Sequence, residues 1–527
     1  MHELGPSLLV VLGICVAGLL ARRTGVPSPV LLVLIGLGVA ALPGQATLEL
    51  SPEVVLAVVL PPLLYSAALD ASLLDFRANA RPIALLSVGL VVWTAAVVGT
   101  VAHLLIPDLP WSAALALGAI VAPPDAVAAI AIGRRVGMPA RLQTLVEGEG
   151  LLNDATALVL YQVAVAVVVS GTFSAPRTVG LLLLAVVGGT AVGLAVAAVI
   201  GQVRRRLEEP LVENVLSLAT PFLAYLPAEE IGGSGVLAVV VCGLVLGHAT
   251  PTLLSSTSRL QTQPVWRVVV FLLEGGVFLL IGLQLPEILE GLHGYAGWQV
   301  TGWSTAIVLA VLLSRPVWIV PATYLPRRLS RRVRERDPAP SWEPVLALSW
   351  AGMRGVVSLA AAFGLATTTD DGSPFPQRDL ILFLVFVVIL TTLLLQGLTF
   401  GRLLRLLDLR PDRQGMLLAQ AAAQQAAARA ALLRLDEVVA NSPEVGPVAD
   451  QLRRLTEARA NARWERLAEV GDDPAATPSA TWRQLRGVML DAERGELLRL
   501  RNSGRLPDEA MREMQLSLDL EEAALRR

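Results

Sequence analysis

Asp125 lies in GAIVAPPDAVAAIAI, Glu149 and the Asn153-Asp154 pair in LVEGEGLLNDATALVLY, and Arg354 in LSWAGMRGVVSLAAAFGL. An ionisable side chain near the middle of a bilayer costs about 3 kcal/mol even on the lenient insertion scale, so each is a candidate for chemistry. Asp154 offers a carboxylate that holds either a proton or a monovalent cation, one at a time. Releasing the first to take the second trades one charge for one, which is the arithmetic of electroneutral exchange. Asn153 adds an amide oxygen and two donors without changing the charge. The plainer role for such a pair is an N-cap, but 22 uncharged residues follow it and two acids precede it. Glu149 and Arg354, both buried on this reading, are expected to neutralise each other and hold the scaffold. Asp125 either complements an exposed helix N-terminus or joins the coordination of an ion. Glu147 sits one helical face-repeat before Asp154 and belongs at the mouth, while Glu274 and Arg315 are further charges in apolar runs.

The elements that must position these groups are membrane spans. Of 527 residues, 54% are hydrophobic and 16% charged, with a mean hydropathy of +0.62. A soluble chain carries about 25% charged residues, so a soluble enzyme is excluded. Runs 24–48, 83–106, 155–176, 179–203, 232–258 and 380–401 carry no charge, and shorter segments fill the gaps. A span needs about 20 apolar residues, and splitting the runs gives about thirteen helices before residue 408. Two look broken: the fifth (about 112–132) at Pro123-Pro124, the twelfth (about 343–366) at Gly352 and Gly355. Interruptions in corresponding positions of two halves point to inverted repeats around a midplane site.

Arginine placement fixes the sidedness. The chain contains no Lys, and the loops after odd-numbered spans hold eighteen Arg against two, Arg177 and Arg378, after even-numbered ones. The Arg-rich side is cytoplasmic by the positive-inside rule, so the N-terminus is outside and the tail inside. The first run follows no basic segment, so it is read as a span and not as a cleaved signal. Cys15 and Cys242 lie in separate apolar runs and form no disulfide framework or metal cluster. Residues 1–408 are thus the membrane domain and 409–527 a helical tail, regulatory or dimerising. Within the tail, 414–439, 445–470 and 481–503 have helical spacing and 471–480 reads as a linker. Arg and Glu alternate there, so nucleic acid is not an expected partner, and no nucleotide-binding or catalytic motif marks the chain as an enzyme.

GAIVAPPDAVAA, EGEGLLNDATALV, FLLEGGVFLLIGLQL and WAGMRGVVSLAAA, in this order, resemble the monovalent cation:proton antiporters of the sodium/proton exchanger type. LPPLLYSAALD and LLLQGLTFGRLL match the same family, and the resemblance covers about residues 5–408. It implies an all-α polytopic homodimer of thirteen-helix protomers, each with a dimerisation domain and a mobile core. Helices 5 and 12 would cross, partly unwound, and exchange would follow an elevator-like movement. Asp154 becomes the ion and proton carrier and a Na+ ligand, with Asn153 and Asp125 beside it. Glu149 takes Arg354 as its partner. Three positions depart from the pattern: Pro124 stands for a common Thr, Gly150 for a common Ser and Ser66 for a common Glu. Fewer oxygen ligands leave room for K+ as well as Na+. The expected activity is electroneutral Na+/H+ exchange across the plasma membrane for pH and sodium homeostasis, with lipids as neighbours and no cofactor. A K+/H+ antiporter and a membrane sensor signalling through the tail are the alternatives.

Overall fold

The computed structural model describes residues 4–24, 26, 28–40, 55–172, 175–207, 209–410, 412–442, 446–468, 478–503 and 505–526. The parts of the expected runs and linker at 41–48, 173–174 and 471–477 lie outside the described residues. The chain divides into two compact units, Met1–Arg410 and Pro411–Arg527. Among the described residues there is no β-strand, only an isolated antiparallel bridge between Thr368 and Pro374.

The first unit begins with α1 (Leu4–Thr24), α2 (Ser28–Ala40) and α3 (Leu60–Asp70). A short helix, Ala80–Ala84, and a π-helical turn, Leu85–Leu90, lead into α4 (Val91–Leu105). Then come α5 (Trp111–Val121), α6 (Ala126–Val136), α7 (Ala140–Ser170), α8 (Ala175–Arg204), α9 (Pro210–Glu230) and α10 (Gly235–Leu253). The unit closes with α11 (Ser256–Glu290), α12 (Gly297–Leu329), α13 (Trp342–Trp350), α14 (Val356–Phe363) and α15 (Arg378–Leu406). Nine described helical segments are long and apolar enough to cross a membrane, with shorter apolar helices at Val10–Ala21, Ser28–Ala40 and Ala57–Asp70.

Both expected breaks are present. Pro123 and Pro124 supply no backbone N–H, so α5 stops at Val121 and the chain restarts as α6 with Asp125 as its N-cap. The twelfth segment separates into α13 and α14 across 351–355. The sixth span differs from its reading: α7 is one continuous helix that starts at Ala140, so the acids Glu147 and Glu149 share it with Asp154. Asn153 and Asp154 sit mid-helix, where no free N–H groups need a cap, and the N-cap alternative falls.

Two apolar cores form in this unit. One joins α4–α7 and α12–α15 and takes in Ile14, Val33 and Phe278. The other is built from α3, α8, α9 and α10, with Leu151 and Ala155 of α7 and Trp266 of α11. The loop ends that the arginine pattern placed on one side also meet in space, since Arg81, Arg141 and Arg327 line a common cavity. At the other end Trp303 donates to the Leu105 carbonyl (2.9 Å) and the Asp370 amide to the Val169 carbonyl (3.1 Å).

The second unit is helical: α16 (Arg413–Asn441) packs on α17 (Gly446–Ala468), and α18 (Pro478–Asn502) on α19 (Asp508–Arg526). Arg453 pairs with Asp436 at 2.7 Å across the first hairpin. In the second, Arg486 grips both oxygens of Glu521 (2.6 and 2.7 Å), and Arg494 reaches Asp519 and Glu522.

Candidate functional site

The two breaks touch. The Asp125 amide donates to the Met353 carbonyl at 2.6 Å, so the start of α6 is held against the gap between α13 and α14. Asp125 Oδ1 accepts from the Val127 amide at 2.8 Å, satisfying a free donor of the α6 N-terminus. Gly355 allows this approach: a Cβ there would stand 2.2 Å from Asp125 Oδ2. Any side chain would drive the two breaks apart.

On α7, Asn153 is fully buried and donates its amide to the Pro124 carbonyl at 2.8 Å. Pro124 thus presents an oxygen to the site by its backbone, and that oxygen is engaged by Asn153. The other side of the amide, Asn153 Oδ1, is buried without a partner among the described residues. Asp154 is 7% exposed and has no hydrogen bond or ion pair among the described residues, and its charge interacts with that of Asp125. Gly150 lies one turn before Asp154, where a Cβ would fall 2.3 Å from the Ala126 Cβ. A serine in that place collides with α6 in this packing.

The scaffold pair is the point at which the structure corrects the sequence reading. Glu149 does not pair with Arg354. Its oxygens accept two bonds from Arg315 of α12, Nη1 to Oε1 at 2.6 Å and Nη2 to Oε2 at 3.1 Å, with both side chains buried. Arg315 Nη2 also donates to the Leu348 carbonyl in the last turn of α13 (3.0 Å). Arg354 turns to carbonyls instead: Nε donates to Val121 (2.9 Å), Nη2 to Ala122 (3.3 Å) and Nη1 to Gly352. The last carbonyls of α5 lack helical partners because the prolines end the helix, and a guanidinium answers both their lone pairs and the negative end of the helix dipole. Each broken helix therefore has an arginine at the C-terminal end of its first half.

Arg315 stands in the sequence as the one charge in 299–325, but nothing in the spacing ties it to Glu149. Thr392 of α15, which accepts from the Arg354 amide at 3.1 Å, gave no signal. Glu274 on α11 interacts electrostatically with Asp125 and has no hydrogen bond or ion pair among the described residues. Glu147 accepts from Gln143 (2.6 Å) and Arg134 (3.2 Å) and stays 23% exposed, two residues before the buried Glu149.

The family model for the transmembrane sodium/hydrogen exchangers matches residues 9–406. An uncharacterised Na+/H+ exchanger of Mycobacterium tuberculosis is 35% identical over 523 residues, 98% of this chain and 95% of that protein. A sodium, potassium, lithium and rubidium/H+ antiporter of Bacillus pumilus is 34% identical over 424 residues, 78% of this chain and 62% of its own length. Among solved structures, the sodium proton antiporter MjNhaP1 of Methanocaldococcus jannaschii at pH 8 superposes with a TM-score of 0.62 at 20% identity, over 77% of this chain and all of that one. The match spans every element that builds the crossing, and the chain belongs to the sodium/hydrogen exchanger family.

Proposed function

We propose that the chain is a secondary antiporter that exchanges one monovalent cation, Na+ first, for one proton, with Asp154 as the carrier. The observation that carries this reading is the Asn153-Asp154 pair. It is buried mid-helix, tied by Asn153 to the broken helix α5–α6, with the carboxylate unpartnered among the described residues. Around it, the guanidinium groups of Arg315 and Arg354 stand against the carboxylates of Glu149 and Asp125, with Glu274 of α11 interacting with Asp125, and this fixed charge stays the same when Asp154 trades one ligand for the other. One Na+ or one proton on Asp154 gives the core the same charge, so it crosses the membrane with equal charge in both directions, while an empty core carries one more negative charge. Ligands for the cation would come from Asp154, Asn153 Oδ1, Asp125 and backbone carbonyls at the breaks. Glu149 and Arg315 hold α7 against α12 and α13, and Arg354 holds α5 against the break at 351–355.

In this reading thirteen spans form two inverted repeats with crossing helices 5 and 12. The N-terminus lies outside, the tail lies in the cytoplasm, and two protomers pair in the plasma membrane. The mobile group is α4–α7 with α12–α15. Among the described residues, its hydrogen bonds and ion pairs stay within itself, apart from Tyr295 to Gln377 between the connections flanking α12 and α15. Apolar contact without polar ties suits a sliding movement. K+/H+ exchange is the second reading, supported by the potassium in the printed name of the Bacillus relative and by the absence of a hydroxyl at 124 and 150.

The test is purified protein in liposomes with an imposed proton gradient, internal pH followed as Na+, K+ or Li+ is added and the voltage clamped. Cation-dependent, voltage-insensitive pH change is expected, with Na+ ahead of K+. Asp154→Asn should abolish it while leaving the protein folded and inserted. Normal exchange by that variant would sink the site, and a voltage-dependent response would sink the stoichiometry.

A further inference from the structure

Away from the crossing, the ends of α7 and α12, the segment leading into α4 and the start of α13 enclose a cavity of about 310 Å³. Its rim carries Arg81, Arg141, Arg327 and Asp337, and its walls are apolar, with Leu86, Leu145, Ile319 and Leu348 among them. Asp337 is already engaged: Arg141 Nη2 reaches its Oδ1 at 2.6 Å, and Arg327 pairs with its Oδ2 and donates from Nε to its carbonyl at 3.0 Å. Arg81 is exposed and has no hydrogen bond or ion pair among the described residues. Three guanidinium groups against one carboxylate leave the rim with two uncompensated positive charges. All of this lies at the ends of apolar helices.

We propose that this cavity binds the phosphodiester headgroup of an acidic phospholipid, with Arg81 as the free anchor and the apolar walls taking the glycerol and the first acyl carbons. Charge complementarity selects the anion. Guanidinium groups present paired donors that match two phosphate oxygens, which a carboxylate-bound Arg141 or Arg327 can supply only in part. Location selects the lipid, since basic recesses between membrane helices on the Arg-rich side face a leaflet that holds anionic headgroups. The apolar floor matches an amphiphile better than a soluble phosphate ester, which would leave Leu86 and Leu145 unfilled. A lipid seated there would join the segment leading into α4 to α7, α12 and α13, and α13 ends at one of the two breaks.

The full chain in detergent is melted with added dioleoyl phosphatidylglycerol, with dioleoyl phosphatidylcholine, and with glycerol 3-phosphate. Phosphatidylglycerol should raise Tm by roughly 2–5 °C over phosphatidylcholine, a shift that shrinks with added salt. Arg81→Gln should lose at least half of that shift. Arg77→Gln, a neighbouring arginine that does not line the cavity, should keep it. An equal shift in Arg81→Gln, an equal loss in Arg77→Gln, or the same shift from glycerol 3-phosphate would each overturn the proposal. Melting is read without any cation gradient, so failure here leaves the exchange reading untouched, and failure of exchange leaves this one.

Discussion

At the scale of residues, the site divides into groups that bind and groups that hold. The Glu149–Arg315 pair is bidentate and buried at both ends. Removing one partner strands a charge in a dry interior, a loss of about 3–5 kcal/mol, whereas removing both strands none. Glu149→Gln and Arg315→Gln should each lower stability sharply, and the double variant should recover part of the loss, with a coupling of roughly 1–3 kcal/mol. The cycle of Glu149 with Arg354 should show much weaker coupling, because Arg354 is satisfied by the carbonyls of Val121, Ala122 and Gly352. Chemical unfolding of the unaltered chain, the three single variants and the two double variants in one detergent decides it, and a stronger coupling to Arg354 would restore the pairing read from the sequence. Asp125, Asn153 and Asp154 were legible because a polar group inside an apolar run has few bland explanations. Which arginine answers Glu149 was not legible. That choice depends on the rotation of α12 against α7, and an unpaired run of carbonyls at a proline break is a partner that side-chain bookkeeping overlooks.

At the scale of elements, the breaks in α5–α6 and α13–α14 followed from proline and glycine chemistry, but the extent of α7 did not. Its charged first turns looked like a loop because hydropathy averages over all faces of a helix. Glu149 points to Arg315 and Glu147 to Gln143 and Arg134, so the helix continues beneath them. The connection between α12 and α13 is likewise ordered by one acid. Burial disfavours the charged Asp337, but the bond from Arg141 and the Arg327 charge outweigh it and hold the carboxyl below its ordinary value of 3.8. A carboxylate with a depressed folded-state pKa contributes stability in full above its unfolded value and loses it only as pH falls through the lower folded one. The tie should therefore be constant from about pH 6 to 9. Asp337→Asn should speed trypsin cleavage at Arg331 and Arg332 by about two- to fivefold, the scale of a partly exposed ion pair. Cleavage that accelerates between pH 9 and 6 in the unaltered chain would contradict the assignment.

At the scale of the whole molecule, a multi-pass membrane architecture was legible from the long uncharged apolar runs, because solvent and lipid sort charge before any packing occurs. The partition into bundles was not. It depends on which apolar faces meet, and Leu, Val and Ala look alike from either side. In the folded chain the two cores are apolar, and α7 contributes to both, through Val146 and Ala157 to one and Leu151 and Ala155 to the other. On the proposed reading, this helix, with aliphatic contacts to both cores and the Asn153-Asp154 pair between them, is where relative movement is expected. Among the described residues, Tyr295–Gln377 is the one polar tie that such a movement would break or carry along. Tyr295→Phe removes the tie while keeping the ring that packs edge-on against Trp303 (centroids 5.6 Å apart). If opening is limited by that bond, Na+-driven exchange should rise by about two- to tenfold, the equivalent of one hydrogen bond of about 0.5–1.5 kcal/mol. Voltage insensitivity should not change, and Tm should fall by no more than about 3 °C. A loss of exchange at unchanged stability would instead place Tyr295 among the groups that guide the ion, and the sliding seam would have to lie elsewhere.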